Sequence, residues 1–361
     1  MNLFAITLCL TAALGPNHSQ LAIHPEFRVS GSAEGVTLTL VSSPGPVALS
    51  ASDYRVYRGT TPHFLANKNT LVAYVKAPTG TIIKDTTVKS HPGTIYYYKV
   101  EELPEGGQPS YLVPVGLNPL RSSDMVSAAV VVPFPPLNVV FIGDSITEGG
   151  WIHSPDQNAC EACAHSLALG PQPRKVFFSN QGHSGHTTKD YLPGGQDMSN
   201  AEAAARSLSA NNPGELIFSI MLGTNDSANI GPNGAPANAD QYEKNLRATV
   251  KQLLVDFPTS KVVIHRPIWY SSNTHNGATY EEEGLERLTS YFPVVASFPK
   301  HFPRGKVFLG DTRGYDYFAS NYLSTLRIEN GRNGTFYLHP NPAGALDLGQ
   351  LWAQAILRVI P

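Results

Sequence analysis

From about residue 22 to 117, apolar and polar residues alternate in short runs: FRVSG, VTLTLVSS, DYRVYRG, TLVAYVK, TIIKDTT, TIYYYKVEEL and SYLVPVGL. Gly, Pro, Ser or Asn punctuates them. A period of two marks half-buried strands, and seven of them in this length predict an all-β sandwich domain. Residues 118–136, ending in VVVPFPP, read as a linker or a last strand. After residue 137 the runs NVVFIGD, KVFFSNQ, ELIFSIMLG, KVVIHRPI and KVFLGD are almost continuously apolar. Helix-period segments lie between or after them, near 198–211, 239–257, 279–291 and 342–357. Such strands separated by helices predict a parallel sheet covered on both faces, a three-layer α/β/α domain over 137–361. Ligands of these sheets bind at the carboxyl ends of the strands, so candidate chemistry is sought there.

Length and composition narrow the function classes. At 361 residues the chain is long for one domain and agrees with two. Apolar residues make up 42% and charged residues 15%, which argues against disorder. The net charge of −2 lacks the basic excess expected of a nucleic-acid or anionic-membrane binder. The 31 Gly and 29 Pro point to many turns rather than a helical bundle. Residues 3–14, LFAITLCLTAAL, are too short to span a bilayer but suit the apolar core of a signal peptide within residues 1–20. Export follows, to a secreted or periplasmic location, with no integral membrane segment in the mature chain; a buried first strand or helix is the alternative. Cys9 would leave with the signal, so the mature protein would keep Cys160 and Cys163. No second CxxC follows them, and although His153 and His165 flank the pair, a small loop disulfide or two reduced thiols is favoured over a metal site. Asn17 and Asn333 lie in glycosylation sequons.

The strand ends carry the chemistry. The first gives Gly143-Asp144-Ser145, then Ile146-Thr147-Glu148-Gly149-Gly150; the second gives Asn180-Gln181-Gly182-His183-Ser184-Gly185-His186-Thr187. The third gives Gly223-Thr224-Asn225-Asp226, and Leu338-His339-Pro340-Asn341 stands near the C-terminus. Singly, Ser145 reads as a helix N-cap, Gly185 as a positive-φ turn residue, Asn225 as a turn or cap residue and His339 as a surface histidine. Together they are the parts of a serine esterase: a hydroxyl to attack an acyl carbon, an imidazole to take its proton and N–H donors for the oxyanion.

The ordered set of four blocks closely resembles the SGNH/GDSL hydrolase superfamily over about residues 137–361. The resemblance implies a flavodoxin-like sheet and makes Ser145, in GDSITEGG, the nucleophile. Gly185, in NQGHSGHT, would join the oxyanion hole through its backbone N–H, with the Asn225 amide of GTND and the Ser145 N–H beside it. His339, in LHPN, would be the general base. The family usually carries Asp three residues before that histidine, where this chain has Phe336. A backbone carbonyl is the favoured replacement for the acid, Asp311 at the end of the fifth strand is a second candidate, and a weakened enzyme is the third outcome. Asn341-Pro342 reads as the N-cap and first residue of a helix whose positive end disfavours a charged His339. In the first domain, YRVYRGTTP followed by GTIYYYKVEEL resembles a fibronectin type III module, with Tyr97 or a neighbouring tyrosine in its corner position.

Other features are weaker. Gly182-His183-Ser184-Gly185 fails the nucleophile-elbow spacing, and HExxH, P-loop and dinucleotide fingerprints are absent. Glu281-Glu282-Glu283 reads as a solvated first helical turn. Trp151, Trp269, Tyr270 and His275 are candidates for the pocket wall or for plain structural roles. These observations unite in an exported serine esterase. The resemblance, to a family whose exported members with accessory β modules are often carbohydrate esterases, and the lack of an extended apolar lid in the sequence imply short acyl groups, acetyl on carbohydrate in particular. Its partner would be a small-molecule or polysaccharide ester, and no metal or organic cofactor is implied. A lipid-directed esterase or lysophospholipase and a catalytically weak glycan-binding relative are the alternatives.

Overall fold

Residues 26–41, 52–61, 64, 66–77, 82–103, 111–113, 128–131, 134–152, 157–170 and 173–360 are described by the structure, a computed structural model. The apolar run 3–14, Cys9, Asn17 and His153 lie outside them. The chain divides into two compact units, 1–132 and 133–361.

In the first unit the period-two pattern becomes strands β1 (Glu26–Ser32), β2 (Gly35–Val41), β3 (Ser52–Gly59), β4 (Leu71–Ala77), β5 (Ile82–Asp85), β6 (Ile95–Leu103), β7 (Tyr111–Val113) and β8 (Ala128–Val131). β8 falls in the stretch read as a linker or a last strand and pairs with β6. Two antiparallel sheets result, ordered β1-β2-β5 and β4-β3-β6-β7. Alternate residues of both, among them Phe27, Val29 and Leu38 from one and Tyr54, Val56 and Val100 from the other, close a single apolar core. Of the β6 tyrosines, Tyr96 and Tyr98 are buried and Tyr97 is half-buried; the Tyr98 hydroxyl donates to Asp85 Oδ2 at 2.8 Å, and Arg58 Nη1 reaches the same oxygen at 2.6 Å.

The second unit is a mixed α/β domain on a parallel sheet. Its strands are β9 (Leu137–Gly143), β10 (Val176–Gly182), β11 (Glu215–Met221), β12 (Lys261–Ile264) and β13 (Val307–Leu309), in the order β10-β9-β11-β12-β13. β9 is buried along its whole length, as a central parallel strand must be. Its side chains alternate between two cores. Val140 and Ile142 meet α3 (Gln196–Asn211), α4 (Ala239–Asp256) and α5 (Glu281–Ser297). Leu137, Val139 and Phe141 meet α2 (Ala159–Ala168), α6 (Gly314–Thr325) and α7 (Pro342–Leu357), where Trp352 stacks on Phe141.

Two of these helices, α2 and α6, were not legible as periodic segments. The sequence of α2, ACEACAHSLA, is mostly small residues, and its packing is decided by close approach to α7: a Cβ on Gly349 would lie 2.5 Å from Ala159 O. Cys160 and Cys163 lie one turn apart on the buried side of α2 as free thiols. A loop disulfide is therefore excluded, and burial pushes both thiols up, away from the reactive thiolate. His165 is on the exposed side of the same helix, away from the pair.

The sheet order reverses direction at β9: the chain passes from β9 to β10 on one side and then to β11 on the other. The crevice outside the carboxyl ends of β9 and β11 is thus the topological switch point, where ligands of open α/β sheets bind.

Candidate active site

β9 ends at Gly143 and a single helical turn, α1 (Ser145–Glu148), follows. The N-cap is Asp144, whose carboxylate accepts the Ile146 N–H at 3.0 Å. Ser145 is therefore the first helical residue, its hydroxyl is not used for capping, and its own N–H has no acceptor within the helix. At the end of β10, a Cβ on Gly182 would come within 2.4 Å of Glu148 N, so only glycine lets this strand meet α1. Asn180 fastens the junction: its Nδ2 donates to Thr147 O (2.9 Å) and Glu148 O (3.1 Å), and its Oδ1 accepts Gly182 N–H (2.9 Å). The turn beyond carries Gly185 at φ +79°, a conformation that favours glycine.

After β11, Asn225 is buried and held from two sides. Tyr280 donates to Asn225 Oδ1 at 2.7 Å, and Asn225 Nδ2 donates to His186 O at 2.9 Å. His186 O can only accept, so the amide atom facing it is the nitrogen, and the Tyr280 phenol, pushed up by burial and so protonated, donates to the oxygen. That fixes which end of the amide is nitrogen and leaves its second proton for the pocket that Asn225 lines. Sequence reading missed Tyr280, since no local pattern links it to a residue 55 positions away.

His339 Nε2 lies 2.9 Å from Ser145 Oγ. On the other side of the ring, His339 Nδ1 lies 2.9 Å and 3.0 Å from Glu329 Oε1 and Oε2, and the His339 N–H reaches Oε1 at 3.2 Å. The acid sought at position 336 is thus Glu329, ten residues before the histidine. The reason is a β-hairpin. Glu329 opens β14 (Glu329–Gly331), Phe336 closes β15 (Gly334–Phe336), and the two are directly paired in an antiparallel ladder. Paired residues project to the same face, so the carboxylate has moved across one rung. Phe336 is buried in the apolar core. The signal was present in ENGRNGTF, where Asn-Gly steps flank strand-like residues.

Glu329 replaces both earlier candidates, the backbone carbonyl and Asp311. Asp311 instead accepts from Gly314 N (2.7 Å) and Arg313 N (3.1 Å), in the turn that leads into α6. Burial works to raise the Glu329 carboxyl, but the hydrogen bonds and charge of His339 outweigh it and hold it below its ordinary range. The carboxylate therefore stays ionised at neutral pH and offsets the positive end of α7, whose N-cap is Asn341. Trp151 covers the imidazole, with ring centroids 4.3 Å apart, and is anchored by its Nε1 to Pro340 O at 2.9 Å.

Ser145, Gly185, Asn225 and His339 all line one open cavity of about 410 Å³. The segment after β12 contributes Asn276, Gly277, Ala278 and Tyr280 to its wall, and of the two roles open to Trp269, Tyr270 and His275 the pocket wall is not theirs. Tyr270 is buried against Ser227, its hydroxyl 2.8 Å from Ser227 Oγ, and Trp269 packs on Tyr322. Glu281, Glu282 and Glu283 are exposed in the first turn of α5. A hydroxyl joined through an imidazole to a carboxylate can lose its proton to that imidazole as it attacks a carbonyl carbon.

Beneath the turn that carries Ser145, burial lifts the Asp144 carboxyl from its ordinary 3.8 to about 7, resisted by the Ile146 N–H and aided by the charge of Asp226. A folded value above the unfolded one means that folding takes up a proton. Stability from this group falls as pH rises from 3.8 to about 7 and then levels. Asp144→Asn, which keeps the capping oxygen, is expected to become more stable relative to wild type across that window, by up to about 4 kcal/mol. Denaturant melts of both proteins at a series of pH values check this; a difference that stays flat with pH would refute it.

The GDSL-like lipase/acylhydrolase family profile matches residues 141–345, more than half of the 361. No curated protein sequence is found similar to the chain. Among solved structures, an aryl esterase of M. smegmatis is 18% identical with a TM-score of 0.43, covering 62% of this chain and 100% of its own. A carbohydrate acetylesterase from Sinorhizobium meliloti is 19% identical with a TM-score of 0.40, covering 62% of this chain and 99% of its own. A Bacillus subtilis protein, YXIM, is 13% identical with a TM-score of 0.40, covering 93% of this chain and 90% of its own. On the family match, the chain belongs to the GDSL-like lipase/acylhydrolase family.

Proposed function

We propose that this hydrolase is an exported serine esterase that removes short acyl groups, acetyl from carbohydrate in particular, through an acyl-enzyme on Ser145. The observation that carries the reading is the continuous contact from Ser145 Oγ to His339 Nε2 and from His339 Nδ1 to Glu329. Ser145 attacks the acyl carbon while His339 takes its proton. The developing oxyanion is held by the N–H groups of Ser145 and Gly185 and by the Asn225 amide. His339 returns the proton to the departing alcohol, then activates the water that releases the acid and restores the serine. Glu329 keeps the imidazole in the tautomer that accepts at Nε2 and stabilises the imidazolium.

The short acyl preference is supported by the cavity wall, where small residues (Gly231, Gly277, Ala278) leave an open surface with no long apolar trough among its lining residues. The glycan-binding alternative rested on a missing acid, and Glu329 removes that support. Export is supported by the apolar run 3–14; among the described residues no helix is long and apolar enough to cross a membrane. Asn333 is exposed in the hairpin turn, as a glycosylation site requires. The strand orders β1-β2-β5 and β4-β3-β6-β7 support a fibronectin type III-like sandwich in the first unit, a spacer or docking module with no chemistry of its own.

The test is a series of 4-nitrophenyl esters from acetate to octanoate, with acetylated xylan or chitin fragments in parallel. kcat/KM is expected to fall at least about tenfold from acetate to octanoate, the worth of a few methylenes that find no pocket. A rise with chain length would establish the lipid-directed alternative instead.

A further inference from the structure

The turn that presents Gly185 to the cavity also carries two imidazoles, and both face one carboxylate. His186 Nδ1 lies 2.5 Å from Asp197 Oδ2, and His183 Nδ1 lies 3.3 Å from Asp197 Oδ1. One nitrogen or oxygen from each of the three residues falls within 4.8 Å of the other two. The Asp197 side chain, in the first turn of α3, is only 9% exposed, whereas both histidine side chains are 37% exposed. None of the three has a part in the acyl-transfer scheme above. His183 Nδ1 is also 3.4 Å from the Tyr191 hydroxyl, which is engaged with Gly143 O at 2.8 Å and Gln181 O at 2.5 Å.

We propose that His183, His186 and Asp197 form a binding site for a divalent transition-metal ion, Zn²⁺ by preference, which ties the Gly185 turn to the start of α3. The donor set of two imidazoles and one carboxylate suits Zn²⁺ and its first-row neighbours, whereas Mg²⁺ and Ca²⁺ call for oxygen ligands. With both imidazoles neutral the cluster carries a single negative charge and attracts a dication. Metal–ligand bonds of about 2.0–2.2 Å at tetrahedral angles separate adjacent donor atoms by roughly 3.3 Å. The His183–Asp197 pair already has that spacing, and the closer His186–Asp197 pair reaches it by a small rotation of an exposed ring. Each Nδ1 becomes a ligand when its proton resides on Nε2 instead, a tautomer change that needs no net loss of protons. The exposed sides of the two rings leave the remaining position to water.

The site has a consequence for the cavity. Gly185 lies between the two histidines, and His186 O holds the Asn225 amide. A bound ion would therefore brace two of the three groups assigned to the oxyanion hole, Gly185 and Asn225, a consequence that rests on the esterase reading. Binding itself does not, and it is measured without any ester present. Loss of one reading leaves the other standing.

The untagged full chain, dialysed against chelator, is titrated with ZnCl₂ by calorimetry and with Co²⁺ by visible absorption. One ion per chain is expected, with micromolar or tighter affinity, a cobalt d–d band and a raised melting temperature. His183→Asn and His186→Asn should each weaken binding by more than the about 10–100-fold that loss of an outer partner costs. His301→Ala, beside Glu243 and outside the cluster, should leave it unchanged. The proposal is overturned if wild type shows no saturable binding in this range. It is equally overturned if His183→Asn, the milder change at an exposed ring, melts like wild type in chelator yet keeps full affinity.

Discussion

Ser145→Ala is expected to reduce turnover of 4-nitrophenyl acetate to near background, a loss of about 10⁵–10⁶-fold in kcat. The size follows from the geometry. The Ser145 hydroxyl is the oxygen that His339 Nε2 meets, at 2.9 Å, and an alanine leaves the base with no nucleophile to activate. The N–H donors remain, so a small residual rate over water should persist. Fluorophosphonate should label wild type on Ser145 and fail to label the variant. Because the residues act as a unit, adding Glu329→Gln to Ser145→Ala should cost little more than Ser145→Ala alone. Hydrolysis retained above about a tenth of wild type, which is less than 1.4 kcal/mol of lost stabilisation, would move the nucleophile elsewhere. Ser184, on the same cavity wall and hydrogen-bonded to Glu148, would then be next to test.

Glu329→Gln is expected to lower kcat by about 10⁴-fold with KM little changed. Glutamine fills the same space and can still reach the imidazole, so the loss isolates charge and tautomer control from packing. Glu329→Asp keeps the charge but draws it back by one methylene, and should fall between glutamine and wild type. The competing candidate gives a sharp contrast. Asp311→Asn should leave kcat within a few-fold, because that carboxylate serves the turn before α6 and not His339. If Glu329→Gln were mild and Asp311→Asn severe, the assignment of the acid would be reversed. The Glu329 carboxyl is held below its ordinary range, so its contribution to stability is present above the unfolded value and lost as pH falls through the folded one. Wild type, but not Glu329→Gln, should show that acid-side loss.

The parts of the fold that could be read in advance are those with a strong period. The apolar runs of β9 to β12 and the helices at 239–256 and 342–357 follow from burial on two faces or on one stripe. α2 escaped because small residues pack by close approach and leave no apolar stripe. Within the site, residues fixed by their own strand end, Ser145, Gly185 and Asn225, were visible because local chain geometry puts them there. Glu329 and Tyr280 were not, because what places them is a hairpin register and a hydrogen bond across 55 residues. In the aromatic segment after β12, the plain structural role is the one the fold takes up. Trp269 and Tyr270 are conspicuous in sequence, but large apolar surface drew them inward, and small neighbours were left to form the cavity wall.

The hairpin changes how kinship to working enzymes should be judged from a sequence. The acid here is specified by a rung of a two-stranded ladder, Glu329 opposite Phe336, and not by its distance along the chain from His339. A comparison that inspects only the third position before the histidine would file such a chain among the inactive, when the residue to inspect is its partner across the turn.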